Sequence, residues 1–167
     1  MALVKGDEIV EDVWVYAGWL AEAPDSAPVI LPLDVWRAEK EALRGRNAPV
    51  GVLLHPDDDP EAQLGAEIGA LSLIALEFPA FSDGRAFSQA RVLRERMGFE
   101  GEIRATGHVI VDQKTHLRRC GFDAVELDDD KAAEAWAAAK SPVELYYQPA
   151  LGGDTPLQRL RKARLAG

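Results

Sequence analysis

Residues Phe78–Gly121 read FPAFSDGRAFSQARVLRERMGFEGEIRATGHVIVDQKTHLRRCG, and their punctuation decides the fold. Leu73–Phe78 leads in as a continuous apolar run, the pattern of a strand buried on both faces. Asp83-Gly84 reads as a turn, and Ser88–Met97 as a helix. Ala86, Ala90, Leu93 and Met97 form its apolar side, and Gly98 its C-terminal stop. Glu102–Thr106 is a third, more polar strand that Gly107 ends. A helix from about Val109 to Cys120 follows, closed by Gly121.

The same alternation extends outward. Upstream, Val50–Leu54 is an apolar strand. Asp57-Asp58-Asp59-Pro60 then supplies N-cap candidates and a proline for the first helical turn. Leu64, Ile68 and Leu71 share one face of the helix that follows. Downstream, Phe122–Leu127 is a fourth strand. Asp128–Asp130 caps a helix with Ala132, Ala135, Trp136 and Ala139 on one side. Strand–helix alternation implies right-handed crossovers and a parallel sheet. We therefore expect an α/β fold of about four parallel β/α units, either a half-barrel or a small open parallel sheet.

The N-terminal third is expected to be a small cap. It has a strand over Ile9–Ala17, a loop over Ala21–Pro28, a short run Val29–Leu31 and a helix ending near Gly45. The whole reads as one α/β domain: cap 1–48, core 49–140 and a polar tail 141–167. The tail carries Tyr146, Tyr147 and Pro149 and ends in the basic residues Arg159, Arg161, Lys162 and Arg164. An open sheet edge would favour a homodimer.

The chain has 167 residues, a net charge of −9, 47% hydrophobic and 28% charged residues, as an ordinary globular protein does. That charge argues against nucleic acid, whose recognition needs a basic face, and against an anionic membrane. No apolar run approaches the roughly 20 residues of a membrane span. The lone Cys120 and an N-terminus without a signal-peptide core suit a reducing cytoplasm. Within this acidic chain the central stretch is basic. Arg85, Arg91, Arg94, Arg96, Arg104, Lys114, Arg118 and Arg119 outnumber Asp83, Glu95, Glu100, Glu102 and Asp112 there. A small oxyanion is the ligand class this suggests. In either architecture the site belongs at the carboxyl ends of the strands, near His55, Glu77–Asp83, Thr106–His108 and Asp128.

The central stretch resembles a bacterial family known only as domain of unknown function 934. Its members are commonly described as probable oxidoreductases involved in sulfite reduction. The resemblance rests on Phe78-Pro79, Phe81, Asp83-Gly84-Arg85, Ser88–Arg91, Leu93–Arg96, Gly98, Gly101-Glu102, Arg104-Ala105, Gly107, Asp112-Gln113 and Leu117–Asp123. It extends more loosely over nearly the whole chain. Relatives usually carry an Arg where Val111 stands and an apolar residue at His116. The resemblance implies a role in assimilatory sulfur metabolism, with sulfite reductase as a partner. The residues themselves show no cofactor fingerprint: no GxGxxG follows a strand, and there is no CxxC spacing. The cofactor stays unassigned, and a flavin- or substrate-binding enzyme and a non-catalytic dimeric interaction protein remain alternatives.

The candidates divide by chemistry. Glu77, Asp83 and Asp112 are the acid–base candidates. Arg85, Arg91, Arg104, Gln113 and Arg119 are the anion-binding ones. Each also has a structural reading. Asp83 can cap its turn while Arg85 pairs with a nearby acid. Arg91, Arg94 and Glu95 lie at helical spacing for a surface ion pair, and Arg94, Arg96 and Arg118 read as ordinary helix surface. Arg104, a charge inside a strand, calls for Glu77, Asp83 or Asp112 as partner. Gln113 falls on a face expected to be buried and must bond either backbone or ligand. Cys120, at a helix C-terminus, reads as a packed thiol, and both aspartate triplets as helix caps. No metal site is expected.

Overall fold

The computed structural model describes residues 1–140, 150, 151, 158, 161, 162 and 164. Most of the tail, with Tyr146, Tyr147, Pro149 and Arg159, lies outside the described residues, whereas Arg161, Lys162 and Arg164 are exposed. Eight strands form one sheet: β1 Ala2–Lys5, β2 Glu8–Val10, β3 Val15–Tyr16, β4 Val29–Pro32, β5 Val50–Leu54, β6 Leu73–Phe78, β7 Glu102–Gly107 and β8 Ala124–Leu127. Helices α1 Leu33–Ala38 and α2 Lys40–Arg44 follow β4, and α3 Pro60–Leu64, α4 Arg85–Arg91, α5 Lys114–Cys120 and α6 Asp130–Ala138 follow β5 to β8 in turn. The order across the sheet is β2-β1-β8-β7-β6-β5-β4-β3. From β3 to β8 every neighbour is parallel and consecutive in the chain; β1 and β2 are antiparallel additions at the β8 edge.

The sheet curls into a half-barrel, and connectivity alone requires it. Eight flat strands at about 4.8 Å spacing would separate β2 from β3 by roughly 34 Å. Residues Glu11–Trp14 join them, and that link reaches at most about 18 Å. Val10 is level with Leu3 and Glu126, near the carboxyl end of β8, whereas Val15 is level with the starts of β4 and β5. The link therefore runs back over the concave face, from the carboxyl end to the amino end. Trp14 and Leu53 pack there against the cluster of Ile30, Leu73 and Ala75.

The convex face carries the main core. Leu31, Val52, Ile74, Leu76, Phe78, Ile103, Ala105 and Val125 meet Trp36, Leu64, Ala86, Ala90, Leu117, Ala133 and Trp136 from the helices. The alternation of side chains then assigns Glu77, Glu102, Arg104, Thr106 and Glu126 to the concave side.

Three expectations are corrected. The N-terminal third continues the sheet with four strands instead of capping it. The run Ile9–Ala17 is two strands, β2 and β3, on opposite edges, because its middle crosses the concave face. The helix expected from Pro60 through Leu71 ends at Leu64, where Gly65 takes a positive φ of 50° and a 3-10 turn follows. Elsewhere Gly98 and Gly121 stop their helices with positive φ, as expected, and a π turn, Val92–Arg96, extends α4.

Candidate functional site

The carboxyl ends of β5 and β6 bring His55 and Glu77 together. Leu54 pairs with Leu76 in the ladder, which puts the following residues side by side. His55 Nδ1 lies 2.5 Å from Glu77 Oε2, and the side chains are 55% and 34% exposed. The backbone under His55 is tied down. Its N–H donates to Asp58 Oδ2 at 2.7 Å, and its carbonyl accepts from the amide of Gln89 on α4 at 2.8 Å. The same amide reaches the Asp58 carbonyl at 2.8 Å, although Gln89 is only 6% exposed. A neutral His55 that donates Nδ1–H to Glu77 keeps Nε2 as its acceptor, oriented by a carboxylate. That is the arrangement of a general base.

Deeper on the concave face lies a charged cluster. Arg104 has no exposed side-chain surface. Its Nε donates to Glu102 at 2.9 Å, and its Nη1 donates to Glu126 at 2.9 Å and to Asp12 at 2.7 Å. Glu126 also accepts from the Tyr16 hydroxyl and the Thr106 hydroxyl, each at 2.7 Å. Lys5 pairs with Glu102 at 2.7 Å. Burial, and then the Glu126 charge, push the Tyr16 phenol far above its ordinary value. Burial opposes the charge on Arg104, but its bonds to Glu126 and Asp12 and the charge of Glu102 outweigh it, so its pKa is raised. β3 and β8 are five strands apart, so the Tyr16–Glu126 bond is a second measure of the curl.

The remaining candidates are placed less centrally. Arg85 pairs with Asp83 at 2.7 Å and also with Asp57, and half of its side chain is exposed. The Arg85 bond holds the Asp83 carboxyl below its ordinary range. Arg91 pairs with Glu95 at 2.8 Å on the surface, and this bond raises its pKa. Asp112 is exposed in the turn Val111–Gln113. Gln113 bonds backbone on both sides: Oε1 accepts from Ile110 N and Nε2 donates to the Phe81 carbonyl, each at 3.1 Å. It thereby joins the loops that follow β6 and β7. Arg119 is half-buried in the last turn of α5 and has an interaction of its own.

The structure does not bring Arg104 to Asp83 or Asp112. Those lie in the strand-end loops, whereas Arg104 sits mid-strand, facing carboxylates on β7, β8 and the crossing link. Arg94 is not helix surface either. It donates to the carbonyls of Gly121, Phe99 and Gly101 and pairs with Asp123, clamping α4's extension to the starts of β7 and β8. Cys120 is buried, and burial pushes its thiol up. Asp59 and Asp129 cap α3 and α6. Among the described residues no group of His, Cys, Asp and Glu is arranged to hold a metal, and no helix is long and apolar enough to cross a membrane.

Sequence reasoning placed His55 and Thr106 at strand ends but passed over His55 as a partner for Glu77, and missed Asp12, Tyr16 and Glu126. One signal was available. Glu102, Arg104 and Thr106 alternate with apolar residues, which marks a sheet with one face turned away from the helices.

Compared with known families, residues 51–158 match the family described as bacterial protein of unknown function, DUF934. No curated protein matches the chain. The match covers more than half of the chain, which therefore belongs to that family.

Proposed function

We propose, from that membership, that the chain serves assimilatory sulfite reduction as an acid–base protein with His55 and Glu77 as its working pair. The observation that carries the reading is the 2.5 Å contact between them at adjacent strand ends, open to solvent. The resemblance of the Phe78–Asp123 motif supports the sulfur context, and the pair supports the chemistry. Glu77 fixes His55 with Nε2 outward. Nε2 takes a proton from a small substrate at the mouth, and the Glu77 carboxylate stabilises the imidazolium until the proton is returned. Such a group contributes about 10²–10⁴ in rate. Among the described residues, Asp83 and Asp112 have no comparable partner for proton transfer. Arg85 and Arg91 are already paired, so a free oxyanion must compete with Asp57, Asp83 and Glu95 for them.

The test is growth of a strain lacking the protein. His55→Ala and Glu77→Gln variants should fail to restore growth on sulfate as sole sulfur source, while growth on sulfide is normal. If both variants restore growth on sulfate as the parent does, the acid–base reading is lost. Flavin absorbance in the purified protein would instead favour a flavoenzyme.

A second reading, a subunit-like accessory of sulfite reductase, is favoured by one observation. Trp19, Phe81, Ile110 and Val111 are 61%, 64%, 42% and 37% exposed. They stand in the loops after β3, β6 and β7, at the carboxyl ends of those strands. Val111 is apolar where the resemblance leads one to expect an Arg. Tagged protein should then retain the reductase haemoprotein, and Phe81→Asp should release it. Equal retention by the variant removes this reading.

A further inference from the structure

The Arg104 cluster is poorly explained as a device for stability. A buried ion pair seldom adds net stability over apolar residues of the same size, and this one is incomplete. Arg104 Nη2 is buried without a hydrogen-bond partner among the described residues. An unsatisfied donor costs about 1–3 kcal/mol. The guanidinium presents a fork suited to two oxygens on one centre, but Asp12 uses half of it. Asp12 Oδ2 takes Nη1, while Asp12 Oδ1 accepts from the Trp14 backbone N–H at 3.1 Å.

Asp12 also differs from the other two carboxylates on Arg104. Glu102 and Glu126 lie within strands, with side chains 15% and 4% exposed; Asp12 is 30% exposed. It belongs to Glu11–Trp14, which lies outside every strand. Among Arg104's partners it is the one the fold can release without breaking a ladder.

We infer that Arg104 is the anchor of a binding site for a small monoanion with two oxygens on one centre, a carboxylate or a hydrogen-sulfite-like oxyanion, and that Asp12 occupies this site from within the chain. Charge selects a monoanion. Arg104 and Lys5 face Asp12, Glu102 and Glu126, one negative charge in excess. A monoanion in place of Asp12 keeps that balance, and a dianion would bury a further charge. Arg104 lies two residues before Thr106, which pairs with Glu77. The anchor is thus about 7 Å along the strand from the level of the acid–base pair. That relation to catalysis rests on the reading of His55 and Glu77; anion binding does not.

An internal carboxylate competes at an effective concentration in the millimolar range, so the parent protein should bind acetate and sulfite weakly. In Asp12→Asn, which keeps the acceptor for Trp14, calorimetric affinity for one or both should rise about ten-fold or more. Arg104→Lys in the same background should remove the gain, and Arg85→Gln should not. Because Arg104→Lys is a buried change, a second readout uses Asp12→Asn alone: the Arg104 side-chain ¹⁵N resonance should shift on adding the anion. Unchanged affinity in folded Asp12→Asn, a gain that survives Arg104→Lys, or an unmoved Arg104 resonance would each overturn the proposal. Growth assays on His55 and Glu77 variants do not bear on these results, so the two ideas fail separately.

Discussion

At the scale of single residues, polar positions on the concave face are more demanding than the apolar ones behind them. Arg104 holds the buried Glu126, and beside it the partly exposed Glu102. Arg104→Met should therefore cost about 3–5 kcal/mol, the usual result of leaving a buried partner charge alone, and denaturant unfolding will measure it. Tyr16 sets the alkaline limit. Its folded pKa is raised above the ordinary 10.0, so the unfolded chain loses that proton first. The resulting stability is complete below pH 10.0 and declines as pH rises beyond it. Melting temperatures above that pH should fall less steeply in Tyr16→Phe. His116 acts at the other end. Burial, with Arg119 and Arg91 nearby, lowers its pKa from 6.5, so stability is present above that value and fades as pH falls through the lowered one. His116→Gln should flatten the acid limb of the same curve. The sequence disclosed Arg104 as anomalous but not its partners. A charge in a strand shows only that a counter-charge is needed. Asp12 comes from a segment far along the chain, which no local spacing reveals.

At the scale of elements, the legible parts were those with local causes. The alternation of Val50–Leu54, Leu73–Phe78, Glu102–Gly107 and Ala124–Leu127 with helices follows from apolar runs and from Gly98 and Gly121, which stop the helices between them. The N-terminal strands were misread because β1 and β2 owe their existence to β8. Two junctions position the mouth. Gln89 ties α4 to the loop bearing His55. Gln89→Ala should cost about 1–3 kcal/mol by stranding those carbonyls, and hydrogen exchange should accelerate over residues 55–58. Gly107 ends β7 at φ 89°, and an added Cβ would run into the Phe78 carbonyl oxygen. Gly107→Ala should therefore cost about 1–3 kcal/mol in backbone strain, seen as a lowered melting temperature.

At the scale of the whole molecule, the half-barrel was foreseeable as one of two architectures, but its curl was not. The decisive fact is that a short link joins opposite edges, and that is invisible until strand order is known. Because Trp14 covers Ile30, Leu73 and Ala75, removing residues 1–14 should expose an apolar and charged groove at once. The truncated chain should bind a hydrophobic dye and elute as aggregates in size-exclusion chromatography. The pairing of β1 with β8 has a further consequence, in time. Residues 2–5 are made long before residues 124–127, their ladder partners in β8. During synthesis β1 can pair with β2 at once, but the two have no place on the rest of the sheet until β8 exists. Long sequence separation between contacts slows folding, so the growing chain passes through a stage with an unpaired edge and an uncovered groove. A chaperone that binds the β1–β2 segment before β8 has been made should raise the yield of this protein more than one that acts after release.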